Sequence, residues 1–333
     1  MTKVIMTNSF RGGTGKSTII CNLASYLASF GYKVVLIDND VISPGVHTFF
    51  GLNAKDFDKT LTDFLISDTD VTEIIYDISE NLGLADETLF LIPSTVSEVN
   101  IVELLHQEEN YEKIGLSLEK IKKMFKPDFI MVDTHPGVNQ AFLVATNFTD
   151  ILLNIIRPDN QDYQGAEVAA KISKKINLKT FFVLNKVHEK LRSPKLVKKI
   201  EKSFGLPVAG MVPLTEEIIL AQSQYVFSDK YPNHPFSKEI QAIGSKVFGV
   251  KPKVHLELMH YLLTEINKKI TIDMSELLNL KKVRFQRCKI YISNLIDSGF
   301  IVKKKSTVKI TKKGQNFLDK YKTIRKFVDD FRI

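Results

Sequence analysis

The stretch Arg11-Gly12-Gly13-Thr14-Gly15-Lys16-Ser17-Thr18 constrains this chain more than any other segment. Before it lies a short apolar run, Lys3-Val4-Ile5-Met6-Thr7, with the character of a buried strand. After it, residues 16–30 place Ile19, Ile20, Leu23, Ala24 and Leu27 on one face of a helix. A strand, a glycine-rich turn and a helix start are the parts that a triphosphate site needs. Glycines let backbone N–H groups approach phosphate oxygens, and the helix N-terminus adds its positive end. Within such a loop Lys16 reaches the β- and γ-phosphates and the Ser17 hydroxyl suits Mg²⁺.

The rest of the first 250 residues alternates apolar runs with helical stretches, the runs falling at 33–37, 89–92, 129–132, 151–155 and 180–184. Strands so uniformly apolar are buried on both faces, which predicts an α/β fold: a mostly parallel sheet covered by helices. Functional residues then belong at the carboxyl ends of the strands. One run ends in Asp38-Asn39-Asp40, whose two carboxylates can serve Mg²⁺ and a nucleophilic water, or else cap the next segment. Another ends in Asp133, followed by Thr134-His135-Pro136-Gly137. A carboxylate there can hold a Mg²⁺-bound water while the turn senses the γ-phosphate. His135 reads as a tolerated turn residue, with pH sensing or substrate contact as the alternatives. A third run ends in Asn185-Lys186, where an asparagine serves a turn as readily as a ligand.

The loop departs from G-x-x-x-x-G-K-[ST], because Phe10 stands at its first glycine. It fits the deviant form K-G-G-x-G-K-[ST], with Arg11 in place of the first lysine. In this the chain resembles the ParA/MinD family of dimeric P-loop ATPases, over about three quarters of its length. The resemblance implies ATP and Mg²⁺ as cofactors and an ATP-dependent homodimer. Residues 12–18 would bind the nucleotide, with Lys16 acting in cis and Arg11 reaching across to the partner's phosphates. Arg11 keeps the charge but replaces a point charge by a planar fork. Ser17 and Asp133 would ligate the metal, Asp38 would support it, and Asp40 would orient the attacking water. Asn185 would meet the adenine edge, and residues 205–224 would form the last strand and the adenine-side loop, with backbone groups of Met211, Val212 and Pro213 offered to the base. His135 departs from the family's usual D-x-P-P. The implied reaction is slow hydrolysis of ATP used as a switch, by positioning and charge stabilisation.

At 333 residues the chain has room for two domains. Its two cysteines, Cys21 and Cys288, form no C-x-x-C pair, which argues against the family's iron–sulfur carriers and fits a reducing cytoplasm. No signal peptide is evident, and no apolar run approaches the roughly 20 residues that span a bilayer. Charge is segregated. Residues 251–333 hold 20 lysines and arginines against 8 acids, whereas the other 250 hold 26 against 30. With Pro252 at the change, the expected domains are an ATPase over 1–250 and a basic domain over 251–333.

That basic domain has three helical stretches followed by two short strands around Lys303-Lys304-Lys305, and it resembles a winged helix-turn-helix. The third helix, about 283–298, would enter a DNA major groove. Lys281, Lys282, Arg284, Arg287 and Lys289 would lie mostly on phosphates, Gln286 and Asn294 could read bases, and Lys303, Lys304 and Lys305 would meet backbone or minor groove. Phe317, Tyr321, Ile324, Val328 and Phe331 predict a last amphipathic helix that packs on its own domain or a second copy. The expectation is an ATP-switched, nucleoid-associated DNA-binding protein of chromosome or plasmid segregation, with room for a protein activator of hydrolysis. A membrane-positioning ATPase and an ATP-responsive transcription regulator are the alternatives.

Overall fold

A computed structural model of the chain describes residues 2–84, 86–95, 110–138, 140–250, 256–269, 271–278, 292 and 295–320. The chain divides into two compact units, Met1–Lys251 and Pro252–Ile333.

The first unit is built on eight strands: β1 (Lys3–Asn8), β2 (Val34–Asn39), β3 (Tyr76–Asp77), β4 (Leu89–Ile92), β5 (Phe129–Thr134), β6 (Ile151–Ile156), β7 (Lys179–Val187) and β8 (Val208–Pro213). They lie in the order β3-β4-β2-β5-β1-β6-β7-β8. Every neighbouring pair is parallel except β3 with β4. The run from β5 to β6 crosses β1, so the sheet's crevice opens at the carboxyl end of β1, where the glycine-rich loop emerges.

Alternation along each strand explains why the runs are apolar throughout. Val34 and Leu36 face one core with Met131 and with Ile19, Ile20, Leu23 and Leu27 of helix α1 (Lys16–Ser29). Val35 and Ile37 face the other with Ile130, Val132, Leu118 and Ile121. Each such side chain, fully buried, contributes about 1.5–3 kcal/mol. The two ends of the first unit meet on the α1 face, where Phe236, Ile240, Ile243 and Val247 of the helix Pro235–Phe248 join the same core.

The second unit contains a helix, Leu256–Asn267, a short helix, Met274–Leu278, and a three-stranded sheet of β9 (Ile272–Asp273), β10 (Ile301–Lys304) and β11 (Thr307–Ile310), in the order β10-β11-β9. Its core joins Leu262, Leu263, Ile266, Leu277, Ile292, Leu295, Ile301, Val308 and Phe317. Ile292 and residues 295–297 are helical, as are residues 312–320. Phe317 of the expected last helix is buried in this core, while Tyr321, Ile324, Val328 and Phe331 lie outside the described residues.

Candidate functional site

The glycine-rich loop is shaped to receive an anion. Helix α1 begins at Lys16 with no side-chain cap and no acid in its first turn. Elsewhere Asp159, Ser193 and His234 cap the helices that follow them. An α-helix start leaves several N–H groups without partners, so an uncapped one beneath a glycine loop keeps them for a ligand. Gly15, at φ 92°, adopts the left-handed conformation, and a Cβ there would lie 2.3 Å from Asn185 Nδ2. Only glycine meets both conditions. The Thr14 hydroxyl is buried in this loop without a partner, another sign of a group to be bound.

The loop is braced from two directions. From the end of β7, Asn185 Nδ2 donates to Thr14 O at 2.7 Å and Lys186 Nζ to Gly13 O at 2.7 Å. From the turn after β5, Gly137 N–H donates to Ser9 O at 2.7 Å. Phe10, in the place of the usual glycine, packs so closely on Gly165 that a Cβ there would sit 1.9 Å from its ring. One helical turn earlier, Gln161 accepts a hydrogen bond from the Arg11 guanidinium. Phe10 and Arg11 are thus both seated on the helix Asn160–Lys175 of the same chain.

Opposite the loop, Asp38 and Asp133 are aligned across the β2–β5 pair, and both are buried. Burial first, and then Asp133, pushes the Asp38 carboxyl up to about 8, against three backbone N–H groups that favour its ionised form. Those donors are Asp40 N at 3.3 Å, Gly45 N at 3.0 Å and Val46 N at 3.1 Å. Asp38 therefore anchors the loop after β2. Asp133 is pushed up to about 6, chiefly by burial, while the Ser17 hydroxyl, Lys16 and Thr7 oppose the rise. Thr7 Oγ1 donates to Asp133 at 3.0 Å. Buried acids held off their ordinary range are the environment a divalent cation relieves. Among the described residues no three or more His, Cys, Asp or Glu form a metal group. Ser17 and Asp133 supply hard oxygens, which fits Mg²⁺, an ion usually held by one or two protein groups together with phosphate oxygens and water.

Asp40 stands on the rim. Its Oδ1 accepts from Ser43 N–H at 3.1 Å and lies 2.9 Å from His135 Nδ1. A cleft of ≈ 400 Å³ is lined by Gly12, Gly13 and residues 15–18, by Asp40 and Ser43, by His135 and Pro136, and by Ser223. Cys21, beneath the two acids, is fully buried, and burial followed by Asp133 and Asp38 pushes its thiol up, so it is an inert core group.

The base side is less open. Met211 N–H donates to Glu239 Oε1 at 2.7 Å, and Met211 O accepts from Arg192 Nη2 at 3.2 Å. Pro213 pairs in register with Val187. In the second unit Lys303, Lys304 and Lys305 are exposed around the hairpin, with Lys305 at φ 53°. Lys281, Lys282, Arg284, Gln286, Arg287, Lys289 and Asn294 lie outside the described residues. Sequence reasoning missed the Lys186 and Gln161 contacts and the His135–Asp40 hydrogen bond. The D-x-P-P departure at His135 was the one available signal.

A parallel sheet, an uncapped helix under a glycine loop and facing acids define a P-loop nucleoside-triphosphate-binding protein. The model of the CobQ/CobB/MinD/ParA nucleotide-binding domain matches residues 5–226, and the chain belongs to that family. A winged helix-turn-helix model matches residues 254–328. An uncharacterised ATP-binding protein of Methanocaldococcus jannaschii is 28% identical over 260 residues, covering 77% of this chain and 92% of that one. The septum site-determining protein MinD of Helicobacter pylori is 26% identical over 239 residues, covering 67% and 82%. The fold is also that of MinD from Pyrococcus horikoshii, solved with Mg-ADP, at TM-score 0.63 and 21% identity over 74% of this chain and 96% of that one.

Proposed function

We propose that this protein hydrolyses ATP as a switch: ATP joins two copies, and the joined pair grips DNA through its winged helices. The observation that carries this reading is the uncapped start of α1 beneath the glycine loop, opposite Asp133. ATP would lay its phosphates on the N–H groups of residues 12–18, with Lys16 on the β- and γ-oxygens. Ser17 and Asp133 would hold Mg²⁺, which neutralises charge on those oxygens, and Asp38 would keep the adjoining loop in place. Asp40 would orient the water that attacks the γ-phosphoryl group. Arg11 would leave Gln161 and reach the partner's phosphates, which makes dimerisation answer to the nucleotide. Asn185, with one amide hydrogen on Thr14, keeps a second N–H and its oxygen for an adenine edge. Pro213, which has no N–H, would contribute at most its carbonyl, and Met211 little, since its N–H and carbonyl are engaged by Glu239 and Arg192.

DNA binding rests on the winged-helix match and on the exposed Lys303–Lys305 hairpin. Two copies held together bind a duplex with avidity that one copy lacks. Together these suit chromosome or plasmid segregation or positioning. No helix among the described residues is long and apolar enough to cross a membrane. The test is binding of the full chain to duplex DNA with ATP–Mg²⁺, with ADP and without nucleotide, across a salt series. Tighter binding with ATP that weakens steeply with salt supports the reading. No binding at any salt overturns its DNA arm, and equal binding in all three states overturns the switch.

A further inference from the structure

His135 and Asp40, 95 positions apart, bridge the loop after β2 and the turn after β5. The backbone on either side of His135 is tied down: Thr134 Oγ1 donates to Thr7 O at 2.6 Å, and Gly137 N–H donates to Ser9 O at 2.7 Å. The imidazole therefore stands on a fixed base. Its Nδ1 lies 2.9 Å from Asp40 Oδ1, the same oxygen that accepts Ser43 N–H at 3.1 Å. A carboxylate oxygen accepts, so His135 Nδ1 is the donor of this bond. Both bonds fall on Oδ1 and neither engages Oδ2. Both side chains also line the phosphate cleft.

We propose that His135 is a positioning residue for ATP hydrolysis: its Nδ1–H pins Asp40 Oδ1, so that Oδ2 is presented to the attacking water. The proposal rests on the reading of this chain as an ATPase with Asp40 at the water. His135 neither takes nor gives a proton. The water oxygen bonds to the γ-phosphorus as the bond to the ADP oxygen breaks; one water proton stays on that oxygen, the other passes to a γ-phosphate oxygen, and ADP and dihydrogen phosphate leave.

Asparagine and glutamine separate this role from others. The amide nitrogen of Asn reaches roughly where Nδ1 lies, and that of Gln roughly where Nε2 lies. Single-turnover ATP hydrolysis, ATP affinity and melting temperature are measured for the full-length protein and for His135→Ala, His135→Asn and His135→Gln. The proposal expects His135→Ala to slow hydrolysis by roughly tenfold, the rate equivalent of one positioning hydrogen bond, with affinity and melting little changed. His135→Asn restores most of the rate and His135→Gln does not. Adding His135→Ala to Asp40→Ala brings no further loss, because the histidine acts through that carboxylate. Restoration by Gln alone, additive losses in the double variant, or an unchanged rate in His135→Ala each overturns the proposal while leaving the ATPase reading intact. If the unsubstituted protein binds ATP but never hydrolyses it, the ATPase reading falls and the proposal falls with it.

Discussion

The glycine-loop end of the sheet and the hairpin of the second unit handle charge in opposite ways. At the loop, Asp38 and Asp133 are buried, raised from their ordinary range and aligned on adjacent strands, and an uncapped helix start faces them. The hairpin lysines are exposed to solvent. A buried site gains strength from low dielectric but must be exact in geometry, whereas an exposed cluster tolerates variation and is screened by salt. The lesson is that single substitutions should have large, salt-insensitive effects at the first region and graded, salt-sensitive ones at the second.

The largest effect belongs to Lys16, whose side chain is itself buried beside the loop. Lys16→Ala should weaken ATP binding on the order of 100-fold, the cost of losing a charge-assisted phosphate contact, at both low and high salt. Calorimetric titration checks it, and an affinity change confined to low salt would break the contrast. Gly15→Ala comes next. Its left-handed φ and the 2.3 Å approach to Asn185 predict about 1–3 kcal/mol of strain and a lowered melting temperature. Denaturant unfolding reads that number, and an unaffected midpoint would remove the argument for a strained, preformed loop.

At the hairpin, changing Lys303, Lys304 and Lys305 together to Ala should leave ATP affinity alone. It should flatten the salt dependence of DNA binding by up to about 2.7 in the log–log slope, if all three lie on phosphates. An unchanged slope would put DNA contacts elsewhere. The smallest effect is in pH. Asp133 and Asp38 titrate higher folded than unfolded, so the folded protein binds more protons between their ordinary range and about 8. Nucleotide-free stability is then greatest at the acid end of that window and falls as pH rises through it. Melting curves at pH 5.5 and 8 should show the fall, and Mg²⁺–ATP should lessen it. Rising stability over the same interval would mean that the acids are not held in this environment.

Much of the first region was legible in the sequence, because its signals are local. The strand, loop and α1 occupy neighbouring residues, and each apolar run falls on a strand. The two-residue β3 carries too short a pattern to be recognised, and only its pairing with β4 gives it form. What remained hidden lies between distant residues. Asn185 and Lys186 meet the loop across more than 170 positions, and His135 meets Asp40 across 95. Met211 was expected to face the base, yet its N–H is taken by Glu239, 28 positions on in the helix Pro235–Phe248. Arg11 was legible as a charge, and its seat on Gln161 was not, since that contact depends on how closely Phe10 lets the loop approach Gly165.

The proposed switch stands or falls on ATP joining two copies through this buried site. Sedimentation of the full-length protein with ATP–Mg²⁺ and with ADP, beside Asp40→Ala under the same conditions, tests it most directly. A dimer with ATP that decays as ATP is consumed, a monomer with ADP, and a persistent ATP dimer for Asp40→Ala are the expected results. One mass in every nucleotide state, or an Asp40→Ala dimer that dissolves as fast as the unsubstituted one, would contradict it.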